Sequence, residues 1–174
     1  MFLLITGNGK GKTTSAIGTA IRGIGWGKKV AMILFDKGGS HYGEQHIFDF
    51  LQEKIDVFRF GQKRFDEKKQ TFRFEHTQED YKEAEKALEK IRELLLKNYF
   101  LIIADEIVSA LNLRLIKESD VRSLVDYCPL KTHLLFTGRN APKWLIKKAN
   151  LVSEIKEVKH YYKKTKKTIK GIDY

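Results

Sequence analysis

F-L-L-I-T-G-N-G-K-G-K-T-T-S, Phe2 to Ser15, decides how the rest of the chain is read. A short apolar run, Phe2 to Ile5, breaks into a glycine-rich loop, after which Ala16, Ile17, Ala20, Ile21 and Ile24 recur at helical spacing. Strand, loop and helix in that order are the setting a phosphate-binding loop requires. Gly7, Gly9 and Gly11 let the backbone enter left-handed angles, so that successive amides, those of Asn8 and Lys10 among them, point inward at anionic oxygens. Lys12 then falls on the terminal phosphates, Thr13 offers its hydroxyl to a magnesium ion, and Thr14 continues into a helix whose positive end faces the same anion. The pattern G-x-x-x-x-G-K-[ST] fails only at its first position, where Thr6 stands and glycine comes one place later. A nucleoside triphosphate site is the expectation, against the bland reading of a glycine-rich turn.

The second half of such a site is expected at the end of another buried strand. Phe100 to Ala104, F-L-I-I-A, is uniformly apolar and runs directly into Asp105 and Glu106. A carboxylate at that place holds magnesium directly or through water. Burying a charge without a partner is costly, so at least one of the two acids is expected to serve metal or nucleotide. His133 to Phe136 is a further strand, and it delivers Thr137, Gly138 and Arg139 to the same edge, where Arg139 is suited to grip a phosphate or carboxylate bidentately. Arg22 lies about three turns along the first helix; it either reaches a phosphate or lies at the surface.

Val30 to Phe35 and Asp56 to Phe60 read as two more strands, the first ending in the flexible loop Asp36 to Ser40. Helices are expected from Gly43 to Leu51, from the capping pair Thr77 and Asp80 through Tyr81, Ala84, Leu88, Ile91 and Leu95, from Ser119 to before Pro129, and from Pro142 to Lys148. I-V-S-A-L-N-L after Glu106 is a turn of helix or a loop over the site. Leu151 to Val158 alternates with charges and reads as an exposed edge strand. Gly61 to His76 exceeds the about four to six residues of an ordinary connection. Its Phe65, Phe72 and Phe74 either cover a flat ligand or pin the loop to the core. The basic tail from His160 is a clamp on an anionic ligand or a solvated ribbon, and its composition favours the ribbon.

A chain of 174 residues fits one domain, 1–174, with room for a core that needs no staples. No apolar run approaches the ~20 residues of a membrane span, and the expected location is cytoplasmic. Cys128 is the single cysteine, which excludes an internal disulfide, and beside Pro129 it reads as packing rather than a nucleophile. The net charge of +11 invites nucleic acid as a partner, but the lysines are spread and interleaved with glutamate, as from Glu79 to Lys97. That is the pattern of a solvated surface.

T-G-N-G-K-G-K-T-T at Thr6 to Thr14, Arg22, G-K-K-V at Gly27 to Val30, Asp105 with Glu106, T-G-R at Thr137 to Arg139, V-K-H at Val158 to His160 and the terminal G-I-D-Y together resemble the P-loop type of ATP:corrinoid adenosyltransferase over nearly the whole chain. The resemblance implies an α/β single-domain P-loop fold with a RecA-like, mostly parallel sheet flanked by helices. It also implies a homodimer that moves the 5′-deoxyadenosyl group of ATP to the cobalt of a reduced corrinoid, releases triphosphate, and is supplied by a corrinoid reductant such as a flavoprotein. On this reading Lys12 and Glu106 are catalytic. Gly7, Asn8, Gly9, Lys10, Gly11, Lys12, Thr13, Thr14, Arg22 and Arg139 bind the nucleotide, and Thr13, Glu106 and Asp105 serve Mg2+, Asp105 from behind the other two. Longer relatives carry an N-terminal extension over the site, and here another segment is expected to cover it or the site is more open. The family's G-F-T-W string is missing from the loop before the long helix, with Phe65 as candidate substitute. Two other functions remain: a P-loop ATPase or kinase, in which Glu106 activates water or a hydroxyl, and a nucleotide-dependent nucleic-acid binder.

Overall fold

The computed structural model describes residues 1–35, 43–51, 53–62, 65–66, 71–72 and 76–173, with side chains of 65–66 and 71–72 left aside. Six strands form one sheet: β1 (Phe2–Thr6), β2 (Val30–Leu34), β3 (Ile55–Arg59), β6 (Leu101–Asp105), β7 (His133–Thr137) and β8 (Leu151–Glu154), in the order β3-β2-β6-β7-β1-β8 with every pair parallel. A small antiparallel pair, β4 (Phe65–Asp66) and β5 (Thr71–Phe72), stands apart. The central strands are continuous apolar runs because both of their faces are covered, as in parallel sheets generally; β2 and β6 are buried at every residue.

The helices are α1 (Lys12–Gly25), α2 (Glu44–Phe50), α3 (Gln78–Leu95), α4 (Ile107–Asn112), α5 (Glu118–Asp126), α6 (Lys143–Lys148) and α7 (Tyr162–Thr165). Moves toward β3 run over one face through α1 and α2, and moves back run over the other through α3, α4, α5 and α6. A right-handed crossover requires that division. Ala16, Ala20 and Phe48 pack against Val30, Met32 and Leu135 on the first face; Ala84, Leu88 and Ile91 pack against Ala31, Ile33 and Ile102 on the second. Ile91 on α3 is fully buried. Ile91→Ala is expected to cost about 2–5 kcal/mol in urea unfolding, through lost transfer energy and a residual cavity.

This is the α/β, parallel-sheet arrangement that the loop and its flanking pattern predict. The capping pair forms: the Asp80 carboxylate accepts the Thr77 amide at 2.8 Å and its hydroxyl at 3.0 Å. I-V-S-A-L-N-L is largely helical, as α4. Cys128 is half-buried against the core, and desolvation pushes its thiol pKa up, in keeping with packing. Three details differ from expectation. Ile21 and Tyr81 point outward, since each lies at the margin of its helix's apolar stripe. The edge strand β8 is shorter than Leu151 to Val158, because Ile155 leaves the sheet to cross over the glycine loop. The predicted loop Asp36 to Ser40 and Phe74 lie outside the described residues, as do the side chains of Phe65 and Phe72.

Candidate active site

All the parallel strands present their carboxyl ends to one edge, where ligands bind in such sheets. At that edge β1 gives way to the glycine loop, with Gly7 at φ 107° and Gly11 at φ 116°, a region only glycine enters without strain. Gly11 stands at the N-terminus of α1, with no side-chain cap and no acidic residue in the first turn. The amides at that end and the helix dipole are therefore arranged for an anion.

Lys12 is buried, and its Nζ donates to the Gly9 carbonyl at 2.8 Å. Desolvation lowers its pKa; Glu106 opposes this, Arg139 lowers it further, and Asp105 again opposes. A charged amine kept from water in this way interacts strongly with any anion that reaches it.

Asp105 is the last residue of β6 and has no exposed surface. Its Oδ2 accepts the Thr13 hydroxyl at 3.1 Å and its Oδ1 accepts the Thr137 hydroxyl at 2.6 Å. Thr137 Oγ1 in turn accepts the Glu106 amide at 2.9 Å, so one buried carboxylate ties together the starts of α1 and α4 and the end of β7. Glu106 sits at φ 62° before α4 and accepts the hydroxyl of Ser109. Asn112 Nδ2 donates to the carbonyls of Arg139 and Asn140 at 2.8 and 3.1 Å, holding the T-G-R turn on α4. Gly138, at φ 143°, makes that approach possible: a Cβ there would lie 2.7 Å from Val108 Cβ and 2.8 Å from the Ser109 nitrogen.

These parts enclose a cleft of about 810 Å³, within the range of ligand sites. Lys10, Gly11, Lys12, Thr13, Thr14, Glu106 and Arg139 line it, together with Glu44 at the start of α2. Asp105 lies beneath Thr13. Gly7 and Gly9 face elsewhere: Cβ atoms on them would lie 2.3 and 2.8 Å from the Ile155 oxygen, and the Gly9 amide donates to that oxygen at 2.7 Å. The Gly9 amide is thus already engaged, a correction to its place in the anion cradle. Asn8 between them is exposed.

Arg22 is a second correction. It lines a separate apolar recess of about 300 Å³ with Trp26 and Phe100, at the opposite edge of the sheet. Ten residues of helix carry it ~15 Å from Lys12, so within this chain it does not meet the cleft. The tail is a third. Gly171, Ile172 and Asp173 line the cleft, and Lys10 pairs with Asp173 at 3.4 Å, so the end of the tail is a wall of the site rather than a solvated ribbon. Sequence reading passed over Ser109 and Asn112, although Ser109 stands three residues after Glu106, a spacing that shares a helix face.

A family model described as "ATP:corrinoid adenosyltransferase BtuR/CobO/CobP" matches residues 1–174. A corrinoid adenosyltransferase of Pseudomonas aeruginosa is 31% identical over 175 residues, spanning 100% of this chain and 83% of that protein. One of a Sinorhizobium species is 32% identical over 176 residues, with 100% and 80% covered. One of Escherichia coli K12 is 27% identical over 175 residues, with 100% and 85% covered.

Proposed function

The chain belongs to the ATP:corrinoid adenosyltransferase family, and from that premise we propose that it transfers the 5′-deoxyadenosyl group of ATP to the reduced cobalt of a corrinoid and releases triphosphate. The observation that carries this reading is the match of the family model from the first residue to the last, across the loop, the acidic pair and the T-G-R turn alike.

Cobalt in its lowest oxidation state attacks C5′; the cobalt–carbon bond forms as the C5′–O5′ bond breaks, and that bond's electron pair leaves with the triphosphate. Cobalt is formally oxidised by two electrons. Such a nucleophile needs no general base. The protein's work is to aim C5′ at the metal and to stabilise charge growing on the departing phosphates.

Lys12 exchanges the Gly9 carbonyl for a phosphate oxygen, the amides of Lys10 to Thr14 and the end of α1 cradle the chain, and Arg139 closes on it from β7. Because the whole triphosphate is the leaving group, it belongs deep in the loop with the ribose turned outward. The oxygen donors of Thr13 and Glu106 fit Mg2+, a hard cation that takes one or two carboxylates along with substrate phosphates. When bound, the ion would neutralise phosphate charge; Asp105 keeps the Thr13 hydroxyl in place. Asp105→Asn is therefore expected to lower kcat/KM about 10–100-fold and to raise the Mg2+ concentration needed for half-maximal rate. A Mg2+ titration of activity reads both.

An anaerobic spectral assay of cobalt–carbon bond formation tests the reaction, with analysis of the phosphate product beside it. Triphosphate supports the transferase; orthophosphate or ADP would instead mark an ATPase or kinase, with Glu106 activating the nucleophile. A salt-sensitive shift of RNA or DNA would favour the nucleic-acid binder. The protein is read as one domain over 1–174, working as a homodimer in the cytoplasm with a flavoprotein-class reductant to supply the reduced corrinoid. Among the described residues no helix is long and apolar enough to cross a membrane.

A further inference from the structure

After β8 the chain crosses the glycine loop as a strap. The Ile155 amide donates to Thr6 O at 2.8 Å and its carbonyl accepts from Gly9 at 2.7 Å. The strap continues through α7 and doubles back at Gly171, φ 81°, to place Asp173 on the wall of the cleft. There the carboxylate is tied on one oxygen: Asp173 Oδ2 accepts the Tyr161 hydroxyl, and accepts the Ile169 amide at 2.7 Å. The other oxygen faces Lys10 at 3.4 Å, with 12% of the Asp173 side chain exposed against 38% of Lys10. The Tyr161 bond, the Ile169 amide and then Lys10 hold the Asp173 carboxyl below its usual pKa, and Tyr161 is pushed up to about 12, so it stays a donor.

A fixed negative charge on the wall of a polyanion site is unfavourable for the ligand unless it does something else. It opposes a more highly charged ligand more strongly, and breaking C5′–O5′ leaves one further negative charge on the phosphate chain. Lys10 lines the same cleft and pairs with Asp173. We propose that Asp173 is a positioning residue that shares Lys10 with the phosphates, holding the lysine in the empty cleft and reclaiming it from triphosphate so that the product leaves. This rests on the adenosyltransferase reading of the cleft.

Calorimetry with magnesium triphosphate and, separately, magnesium ATP tests it on the whole protein. Asp173→Asn is expected to bind triphosphate roughly tenfold more tightly while ATP affinity moves less than about threefold. In a Lys10→Met background the same change should yield under about threefold, because no lysine remains to be contested. A purely structural strap predicts the reverse, with both ligands weakened alike by Asp173→Asn, and that result overturns the proposal. So does a tightening that persists undiminished without Lys10, since Asp173 would then act by repulsion alone. Should Asp173→Asn fail to fold, Lys10→Met by itself carries the test: it must loosen ATP more than triphosphate, from which Asp173 already withholds the lysine, and equal loosening defeats the idea. A wild-type protein that binds no triphosphate would sink the reading of the cleft itself, an outcome distinct from wild-type binding with no difference in the variant.

Discussion

Lys12→Ala is expected to lower kcat/KM for corrinoid adenosylation by about 10²–10³-fold, the loss seen when one preorganised donor to a developing anion is removed from a site shielded from water. The lysine is buried among the loop, Glu106 and Arg139, and its pKa is depressed chiefly by desolvation. Its ammonium is therefore poorly solvated before the ligand arrives, and a phosphate oxygen offers more than the Gly9 carbonyl it now holds. The readout is the rate of cobalt–carbon bond formation under anaerobic conditions at saturating corrinoid. Thermal unfolding should move little, since the variant removes a desolvated charge along with one hydrogen bond. A variant that keeps more than a tenth of the wild-type rate would show that the phosphates lie elsewhere.

Gly7→Ala should produce the largest stability loss of any single methyl added to the loop, about 2–4 kcal/mol in denaturant unfolding. Two costs add. The backbone at φ 107° is strained for any residue with a side chain, and the new Cβ would fall 2.3 Å from the Ile155 oxygen and 2.9 Å from its nitrogen. The atoms in the way are backbone, so they cannot swing aside; the strap must lift. Because that strap is hydrogen-bonded to the glycine loop at Thr6 and Gly9, lifting it disturbs the loop, and the KM for ATP should rise with the loss of stability. Gly18→Ala is the contrast within the same segment. It lies inside α1 with nothing within 4 Å of a Cβ, and should stabilise the helix by about 0.5–1 kcal/mol. If both variants cost the same, the clash with Ile155 is not what restricts Gly7.

The spread of these effects separates two kinds of glycine that look alike in T-G-N-G-K-G-K. Gly11 turns the chain into α1 in an open position, where a Cβ meets only the Ile155 side chain at 3.9 Å. Gly7 and Gly9 lie against Ile155 and Lys156, which arrive from nearly the other end of the chain. A motif reading assigns all three to the phosphates. The fold assigns two of them partly to packing, and so links the loop to the C-terminal segment.

The strands were legible because each was a short apolar run next to a turn, and a parallel sheet covered on both faces leaves no other place for V-A-M-I-L or L-I-I-A-D. The placement of Lys12, Thr13, Glu106 and Arg139 around one cleft also followed from local order, since each stands just after a strand and parallel strands end at one edge. Arg22 was misjudged because sequence distance along a helix converts to length: being in the right helix put it at the wrong end.

The sequence by itself therefore determined the loop, the acidic pair and the α/β class, which depend on residues within a few positions of one another, and the resemblance to a family, which strings such local motifs along nearly the whole chain. Only the tertiary structure decided the partners of Asp105, the engagement of the Gly9 amide and the return of Asp173 to the cleft. Those contacts join segments 32 to 163 residues apart, as between Asp105 and Thr137 or Lys10 and Asp173. Periodicity and turn chemistry report on neighbours along the chain. A carboxylate chosen to meet a hydroxyl or an ammonium from a distant segment leaves no mark in either one.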